Sequence, residues 1–452
     1  MGNMSVGETL RYAVKNIPYY EEKPEYDPIR KNYDRINEER AEDLLLKLPV
    51  IDAAIFREDN YKSLIPKNDA SMRIFLTSGS SGKPKSIPRT SDSISAQALS
   101  LDDLISSTSR EKVFGKDQDI IGSVSDALGV AVSQLPRMPA VSGEIFSEYI
   151  KYKRAIEISN PYSTNLLDLA EEAYSLLKPG KSIIWGGFDP VLLKLVGSLD
   201  DDSSKKLRNY NEKMKTWLIT GGTYTSRSQA NLLKELLGTP SFSVNYGTTE
   251  SAMGLGPHSG NVRLSRYNNY YLLLDNEGLH KLDRNAIGRT GELVITNKME
   301  RGQEIAPLIN YNLHDIIKII DFSPGGDPIF EYISRSDGIV HFSVAKLTDP
   351  VAARTMDALR DRFGMDITGY FTVTKKDGID VLTLVIENGK SKLKDREISS
   401  ILNTLKGVLS GQGPELSYVI GNDLGKVSVE FGDASSIPKG KPKLIYDLRS
   451  KE

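Results

Sequence analysis

Residues 77–85 read Thr-Ser-Gly-Ser-Ser-Gly-Lys-Pro-Lys, a stretch that concentrates the groups able to hold an anion. Gly79 and Gly82 free the backbone to turn its N–H groups inward. Thr77, Ser78, Ser80 and Ser81 add hydroxyl donors, while Lys83 and Lys85 add positive charge. A loop so equipped suits the triphosphate of a nucleotide. It is not the P-loop of Walker-type NTPases, which needs four residues between its glycines and Ser or Thr directly after the lysine to hold magnesium. Here only Ser80 and Ser81 separate the glycines, and Pro84 follows Lys83. Gly/Ser clusters are usually plain surface turns, so the loop decides nothing by itself.

The loop resembles the phosphate-loop signature of the adenylate-forming superfamily, which contains acyl-CoA synthetases, peptide-synthetase adenylation domains and luciferases. Further likenesses follow in the family's order. Thr220-Gly221-Gly222-Thr223-Tyr224-Thr225 stands where the family has a turn lining the adenine, which implicates Gly222 and Thr223. Tyr246-Gly247-Thr248-Thr249-Glu250 matches its Tyr-Gly-x-Thr-Glu signature. The resemblance implies that Tyr246 stacks on adenine, Thr249 meets the α-phosphate and Glu250 holds Mg²⁺, with Gly247 and Thr248 in the same nucleotide-binding turn. A hard cation takes a carboxylate oxygen, and magnesium bridging phosphates neutralises charge during attack on phosphorus.

Gly291–Ile295 matches a family strand with a structural role. Residues 307–315 match the segment that ends in a ribose-binding aspartate, here Asp315, which accepts hydrogen bonds from both ribose hydroxyls. His314 stands where many members carry Gly or Arg and is read as incidental. Arg335-Ser336-Asp337 matches the family hinge: Arg335 reaches ribose or phosphate, and Asp337 absorbs the backbone rotation between two half-reactions. Pro438-Lys439-Gly440-Lys441 resembles the loop of the catalytic lysine, which bridges carboxylate and α-phosphate. Lys441 follows Gly440 as the family lysine does, and Lys439 is the alternative.

The resemblance covers the chain from about residue 70 to its end. Ala306-Pro307-Leu308-Ile309-Asn310-Tyr311 is most similar to the phenylacetate–CoA ligase branch, and residues 84–89 also resemble acyl-protein synthetases. Those synthetases pass the acyl group to their own cysteine, and this chain has none. After the hinge, ligases of this branch carry a glycine-containing loop beside the pantetheine arm, whereas residues 340–346 contain no glycine. A β-carbon there blocks close approach of backbone to ligand. The lysine loop is also about two residues shorter than the branch's usual one. The resemblance therefore implies ATP- and Mg²⁺-dependent activation of an organic acid as acyl-AMP, followed by transfer to CoA. The alternative acceptor is an amine, a hydroxyl or a carrier-protein arm. Leu128, Phe188, Tyr224 and Met253 hint at an apolar or aromatic acid, though core packing explains them equally well.

The elements that must position these residues alternate. Apolar runs at 120–124, 183–185 and 217–220 read as strands, and 166–177 and 228–237 as helices, which is the signature of α/β layers. Residues 40–48 read as a short amphipathic helix and 74–76 as a strand. From Tyr270 onward, short β runs at 270–274, 291–296 and 316–320 mark a β-rich subdomain, about 262–335. The last segment reads as helix 351–363, hairpin 370–374/381–386, helix 393–409 and strands 416–420 and 426–431. The expected organisation is a large multi-layer adenylating domain with mixed sheets, 1–335, and a small mobile α+β lid, 336–452.

Composition sets the outer limits. With 39 % hydrophobic and 26 % charged residues the chain is an ordinary globular one, and a net charge of −2 gives no reason to expect nucleic acid. The absence of cysteine excludes disulfides, thiolate metal sites and a cysteine nucleophile. Its four histidines lack helical zinc spacing, so no structural metal is expected. Without a signal peptide or an 18-residue apolar run, the expected location is the cytoplasm and no membrane partner is foreseen.

Overall fold

A computed structural model describes the chain apart from residues 1–3, 57–59, 68–71, 77–85, 115, 134–140, 160–164, 188–191, 193–194, 197–198, 222–224, 226, 240, 249, 251–252, 299–306, 337–339, 343–344, 364–366, 368, 377–378, 388–394, 413, 422, 433–443 and 449–452. Two compact units result, a large one of residues 1–222 and 232–333, and a small one of residues 223–231 and 334–452.

The class is α/β, as the alternation of elements implies. In the large unit β1 (Met72–Leu76) and β2 (Ser86–Thr90) pair antiparallel, bracketing residues 77–85. The remaining strands are β3 (Leu128–Ser133), β4 (Ile156–Ser159), β5 (Ser182–Gly187), β6 (Trp217–Gly221), β7 (Ser241–Gly247), β8 (Met253–His258), β9 (Asn261–Leu264), β10 (Asn269–Asp275), β11 (Gly278–Lys281), β12 (Thr290–Asn297), β13 (Tyr311–Phe322) and β14 (Pro328–Arg335). Among the described residues these twelve form one sheet, ordered β11-β10-β12-β13-β14-β9-β8-β7-β6-β5-β3-β4.

One flank, β4 through β7, is parallel. Its strands read as continuous apolar runs because both faces are covered. Ala131, Ile184, Trp217 and Ile219 pack with Ile94, Leu101 and Ile105 of the helix Ser91–Glu111 on one side. The β-rich flank is antiparallel, and it continues the same sheet through the pairs β7–β8, β8–β9 and β9–β14. Its outer face is closed by the N-terminal helices Val6–Asn16 and Glu38–Leu45. Leu10, Leu44 and Leu45 join Leu272, Val294 and Ile317 in one core.

Two short runs differ from their expectation as strands. Residues 120–124 lie inside the helix Lys116–Asp126, and residues 416–420 inside the helix Pro414–Gly421. A largely apolar run of five residues has no period long enough to separate the two states, and burial against neighbouring elements decided them.

The small unit carries a four-stranded sheet. β17 (Gly369–Lys376) and β18 (Ile379–Glu387) form the hairpin, with β19 (Gly425–Gly432) parallel to β18 and β20 (Ile445–Asp447) parallel to β17. Met356 and Leu359 of the helix Asp349–Phe363, and Ile401 and Leu405 of the helix Asp395–Gly411, cover Phe371, Val373, Leu382 and Leu384. β15 (Val340–Phe342) and β16 (Ala345–Leu347) make a separate two-stranded ladder. Among the described residues no helix is long and apolar enough to cross a membrane.

Candidate functional site

The site lies at the carboxyl end of β7, where the parallel flank gives way to the antiparallel one. In open α/β sheets this kind of reversal leaves a crevice beyond the strand ends. Gly221 ends the neighbouring strand β6 opposite Asn245, and a β-carbon on Gly221 would come within 2.7 Å of the Asn245 carbonyl oxygen. The glycine therefore lets the two strand ends close on each other.

β7 delivers Tyr246 and Gly247, and Thr248 and Glu250 follow directly. Tyr246 packs edge-on against Phe330 of β14, ring centroids 5.2 Å apart. Its hydroxyl donates to Asp315 Oδ2 at 2.5 Å. The residues expected at adenine and at ribose, 69 apart in sequence, are thus hydrogen-bonded to each other. Glu250 is 6 % exposed. Tyr311 Oη donates to its Oε1 at 3.1 Å, and Asn297 Nδ2 donates to its backbone carbonyl at 3.3 Å. Burying a carboxylate demands such donors and a nearby positive charge. The charge is Arg89 of β2, itself buried, whose guanidinium is drawn down to about 10 by burial and held up against that by Glu250.

Tyr311 and Asp315 are aimed by an unusual piece of backbone. Asn310 and His314 both adopt left-handed conformations, φ 51° and 59°. Residues without the freedom of glycine hold this region only where their surroundings over-determine it. For Asn310 the surroundings are Leu45 and Leu48, whose carbonyls accept from Nδ2 at 2.6 and 3.3 Å, and Thr296, whose Oγ1 accepts from its N–H at 3.0 Å. Ile51 completes the clamp, its N–H donating to Asn310 O at 2.9 Å and its carbonyl accepting from Asn312 N at 2.8 Å. Tyr20 Oη donates to Pro307 O at 2.9 Å and accepts from Ile309 N at 3.1 Å. Around His314 the ladder between β12 and β13 slips, and the His314 N–H donates to Asn312 Oδ1 at 2.7 Å. The His314 ring, 3.2 Å from Glu292 at Nδ1, leans away on that carboxylate.

Of the residues that sequence singled out, Tyr246, Gly247, Thr248, Glu250 and Asp315 come together here. Thr77–Lys83, Gly222, Thr223, Thr249, Asp337, Lys439 and Lys441 lie outside the described residues, as do the pocket candidates Phe188 and Tyr224. Arg335 ends β14 by its backbone. The pocket candidates Leu128 and Met253 belong to the core with Ile94 and Trp217. Arg89, Tyr311, Asn297 and Tyr20 were not foreseen. Tyr311 lies inside the matched segment and Arg89 just after the loop, so position offered a signal for both; nothing marked Tyr20.

Elsewhere on the large unit Asp275, Glu277 and His280 lie close enough together to share a cation. Arg289 already bonds Asp275 and Glu277 at 3.1 and 3.2 Å, so the cluster is an ion-pair network.

No family model matches the sequence, and no curated protein does. Solved structures do match over most of the chain. 2-Hydroxyisobutyryl-CoA ligase in its postadenylation state matches with TM-score 0.63 at 13 % identity, over 99 % of this chain and 89 % of that one. GH3.15 acyl acid amido synthetase in complex with 2,4-DB gives 0.61 at 14 %, over 95 % and 86 %. ATP-bound MatB from Rhodopseudomonas palustris gives 0.51 at 14 %, over 84 % and 66 %. At these identities the likeness is one of architecture: the chain has the fold of the adenylate-forming enzymes.

Proposed function

We propose, from that fold and the side chains at the end of β7, that this chain activates an organic carboxylate as its acyl adenylate. A carboxylate oxygen attacks the α-phosphorus of ATP, the new O–P bond forms as the bond to the β-phosphate oxygen breaks, and pyrophosphate leaves. The observation that carries this reading is the meeting, across 69 residues of sequence, of Tyr246 with Asp315, the two residues to which the resemblance gives adenine and ribose, with Glu250 held by Tyr311. Asp315 then serves the ribose and Tyr246 the adenine. Residues 77–83 hold phosphate, with Gly222, Thr223 and Thr249 lining the nucleotide. Lys441 bridges carboxylate and α-phosphate, Arg335 reaches ribose or phosphate, and Asp337 absorbs the backbone rotation between half-reactions.

Glu250 fits magnesium. It offers a carboxylate, but only one, and Arg89 places a positive charge beside it. That donor set suits a cation brought in by phosphate oxygens better than one held by protein alone. When bound, the metal neutralises phosphate charge.

The acid is apolar or aromatic, the first acceptor is CoA, and the enzyme works in the cytoplasm. Transfer to an amine, hydroxyl or carrier arm is the second reading. It draws on the similarity to an amido synthetase and on the glycine-free stretch at 340–346, whose Phe342 is fully buried. Acid-dependent pyrophosphate release, screened across aromatic, short-chain and long-chain acids, tests adenylation; no release with any acid overturns it. Hydroxylamine trapping then separates the acceptors. Consumption of the adenylate by CoA supports the first reading, and equal trapping with and without CoA supports the second.

A further inference from the structure

Where β9 passes into β10 the chain buries three polar side chains, Ser265, Asn268 and Asn269, none more than 5 % exposed. Buried amides and hydroxyls are tolerated where they are hydrogen-bonded. Here the bonds run in two directions.

One direction is the helix Ser91–Glu111. Asn268 Nδ2 donates to Ala96 O at 2.9 Å, and Ser265 Oγ shares a hydrogen bond with Ser100 Oγ at 2.9 Å. This helix is the direct continuation of β2, the strand that follows residues 77–85. Thr90 ends the strand and caps the helix, accepting from Ser93 N at 3.1 Å.

The other direction is Glu250. Ser265 N donates to Met253 O, at the start of β8, at 2.8 Å. Asn269 lies opposite Asn297 across the β10–β12 ladder. Asn297 Nδ2 donates to Asn269 Oδ1 at 2.8 Å and to Glu250 O at 3.3 Å, while its Oδ1 accepts from Leu308 N at 3.1 Å. One buried amide thus gathers Glu250, Leu308 and β10. Asn269 Nδ2 donates to Tyr271 Oη at 3.3 Å, and that hydroxyl donates to Ser265 O at 2.7 Å, tying the two ends of the segment together. Directional bonds of this kind fix separations that apolar contacts leave adjustable.

We infer that residues 265–269, joined to Asn297 through Asn269, set the distance between Glu250 and the helix that continues from residues 77–85. Asn269 and Asn297, 2 and 3 % exposed, are positioning residues for adenylation. The inference rests on the proposed function, in which residues 77–83 hold phosphate and Glu250 acts on the same phosphates. Groups that share one substrate must keep a set separation, and a misplacement of about 1 Å costs about a hundredfold in rate.

The test uses the full chain, with kcat from acid-dependent pyrophosphate release and the dissociation constant for ATP from calorimetry in Mg²⁺. In Asn297→Ala, kcat should fall at least about tenfold while the dissociation constant stays within about threefold of wild type. The phosphate-holding residues are untouched, and only their register with Glu250 is lost. Asn269→Ala should lower kcat about fivefold or more, again at unchanged binding. Added to Asn297→Ala it should lower kcat by no more than about a further twofold, since its effect on Glu250 passes through Asn297. Loss of stability alone produces neither the fall in kcat per folded molecule nor this non-additivity. A kcat within about twofold of wild type in both single variants overturns the inference. So do losses that multiply in the double variant, and so does a dissociation constant weakened about tenfold, which would make the amides part of nucleotide binding. Where an alanine variant folds poorly, Asn269→Ser takes its place. Its hydroxyl stays polar but stops short of Asn297, so the same fall in kcat at unchanged binding is expected, and an unchanged kcat overturns the inference. A wild-type protein that releases no pyrophosphate with any acid refutes the proposed function and the inference with it. An active wild type with indifferent variants refutes the inference alone.

Discussion

Residues 241–247 reach the site as an interior strand, laddered to β6 on one side and β8 on the other, with Phe242 and Val244 in the core. Residues 307–315 have less of that help: Tyr311 and Asn312 pair with β12, and beyond them the register slips. They are carried by side-chain bonds from Tyr20, Thr296 and Asn312 and by carbonyls at 45 and 48, and they turn twice through left-handed backbone. The first segment is placed by repetition, in which any one residue is replaceable by another of similar shape. The second is placed by a few specific polar contacts with N-terminal helices far away in sequence. Function follows the same division. The regular strand brings the aromatic ring and opens into Glu250, while the irregular segment supplies the hydroxyl and carboxylate that hold those groups still.

Substitutions can break this contrast, beginning with its shared endpoint. Glu250→Gln keeps the contact with Tyr311 but loses the charge, and pyrophosphate release should fall by about a hundredfold or more with the fold intact. Asn310→Ala strips the donors from two buried carbonyls and should destabilise the large unit by about 3 kcal/mol in denaturant titration. Asn310→Gly loses the same bonds but suits φ 51°, so it should be milder by about 1 kcal/mol. Equal losses would mean that the left-handed backbone costs nothing here. Val244→Ala, on the strand side, should cost about 2 kcal/mol through an underpacked core and leave the KM for ATP unchanged. A large KM effect there would erase the distinction between the two segments.

The division also governs what the sequence disclosed. β5, β6, β10, β12 and the helices 166–176 and 227–237 follow from period and punctuation, which are local properties. The runs at 120–124 and 416–420 are local too, but too short to choose between strand and helix, and they became helices in context. The β-rich region was legible as β, whereas its continuity with the parallel strands rests on the non-local pair β9–β14. At the site, Tyr246, Glu250 and Asp315 were legible through motif order. Tyr20 was not, because a tyrosine among helical residues carries no sign that its hydroxyl will sit between Pro307 and Ile309. Arg89 reads as one more surface cation until burial removes its solvent.

The clamp itself yields the finer tests. Tyr20→Phe keeps the ring among Tyr19 and Tyr26 and removes only the hydroxyl shared by Pro307 O and Ile309 N. A loss of about 1–2 kcal/mol is expected, with the KM for ATP raised a few-fold (about three) and kcat at saturation kept, as suits a residue that places the site without touching substrate. An unchanged KM would confine Tyr20 to stability. His314→Gly is the smallest change and the sharpest. Glycine gains up to about 1 kcal/mol by accepting φ 59° freely. It forfeits a part-exposed contact with Glu292 worth about 0–1 kcal/mol, so unfolding should barely move. The backbone donor to Asn312 survives, and so does the hydrogen bond from Asn312 Nδ2 to Glu292. If backbone geometry alone aims Asp315 at Tyr246, the KM for ATP stays within about twofold of wild type. A tenfold rise would instead make the imidazole and Glu292 working parts of the ribose end of the site.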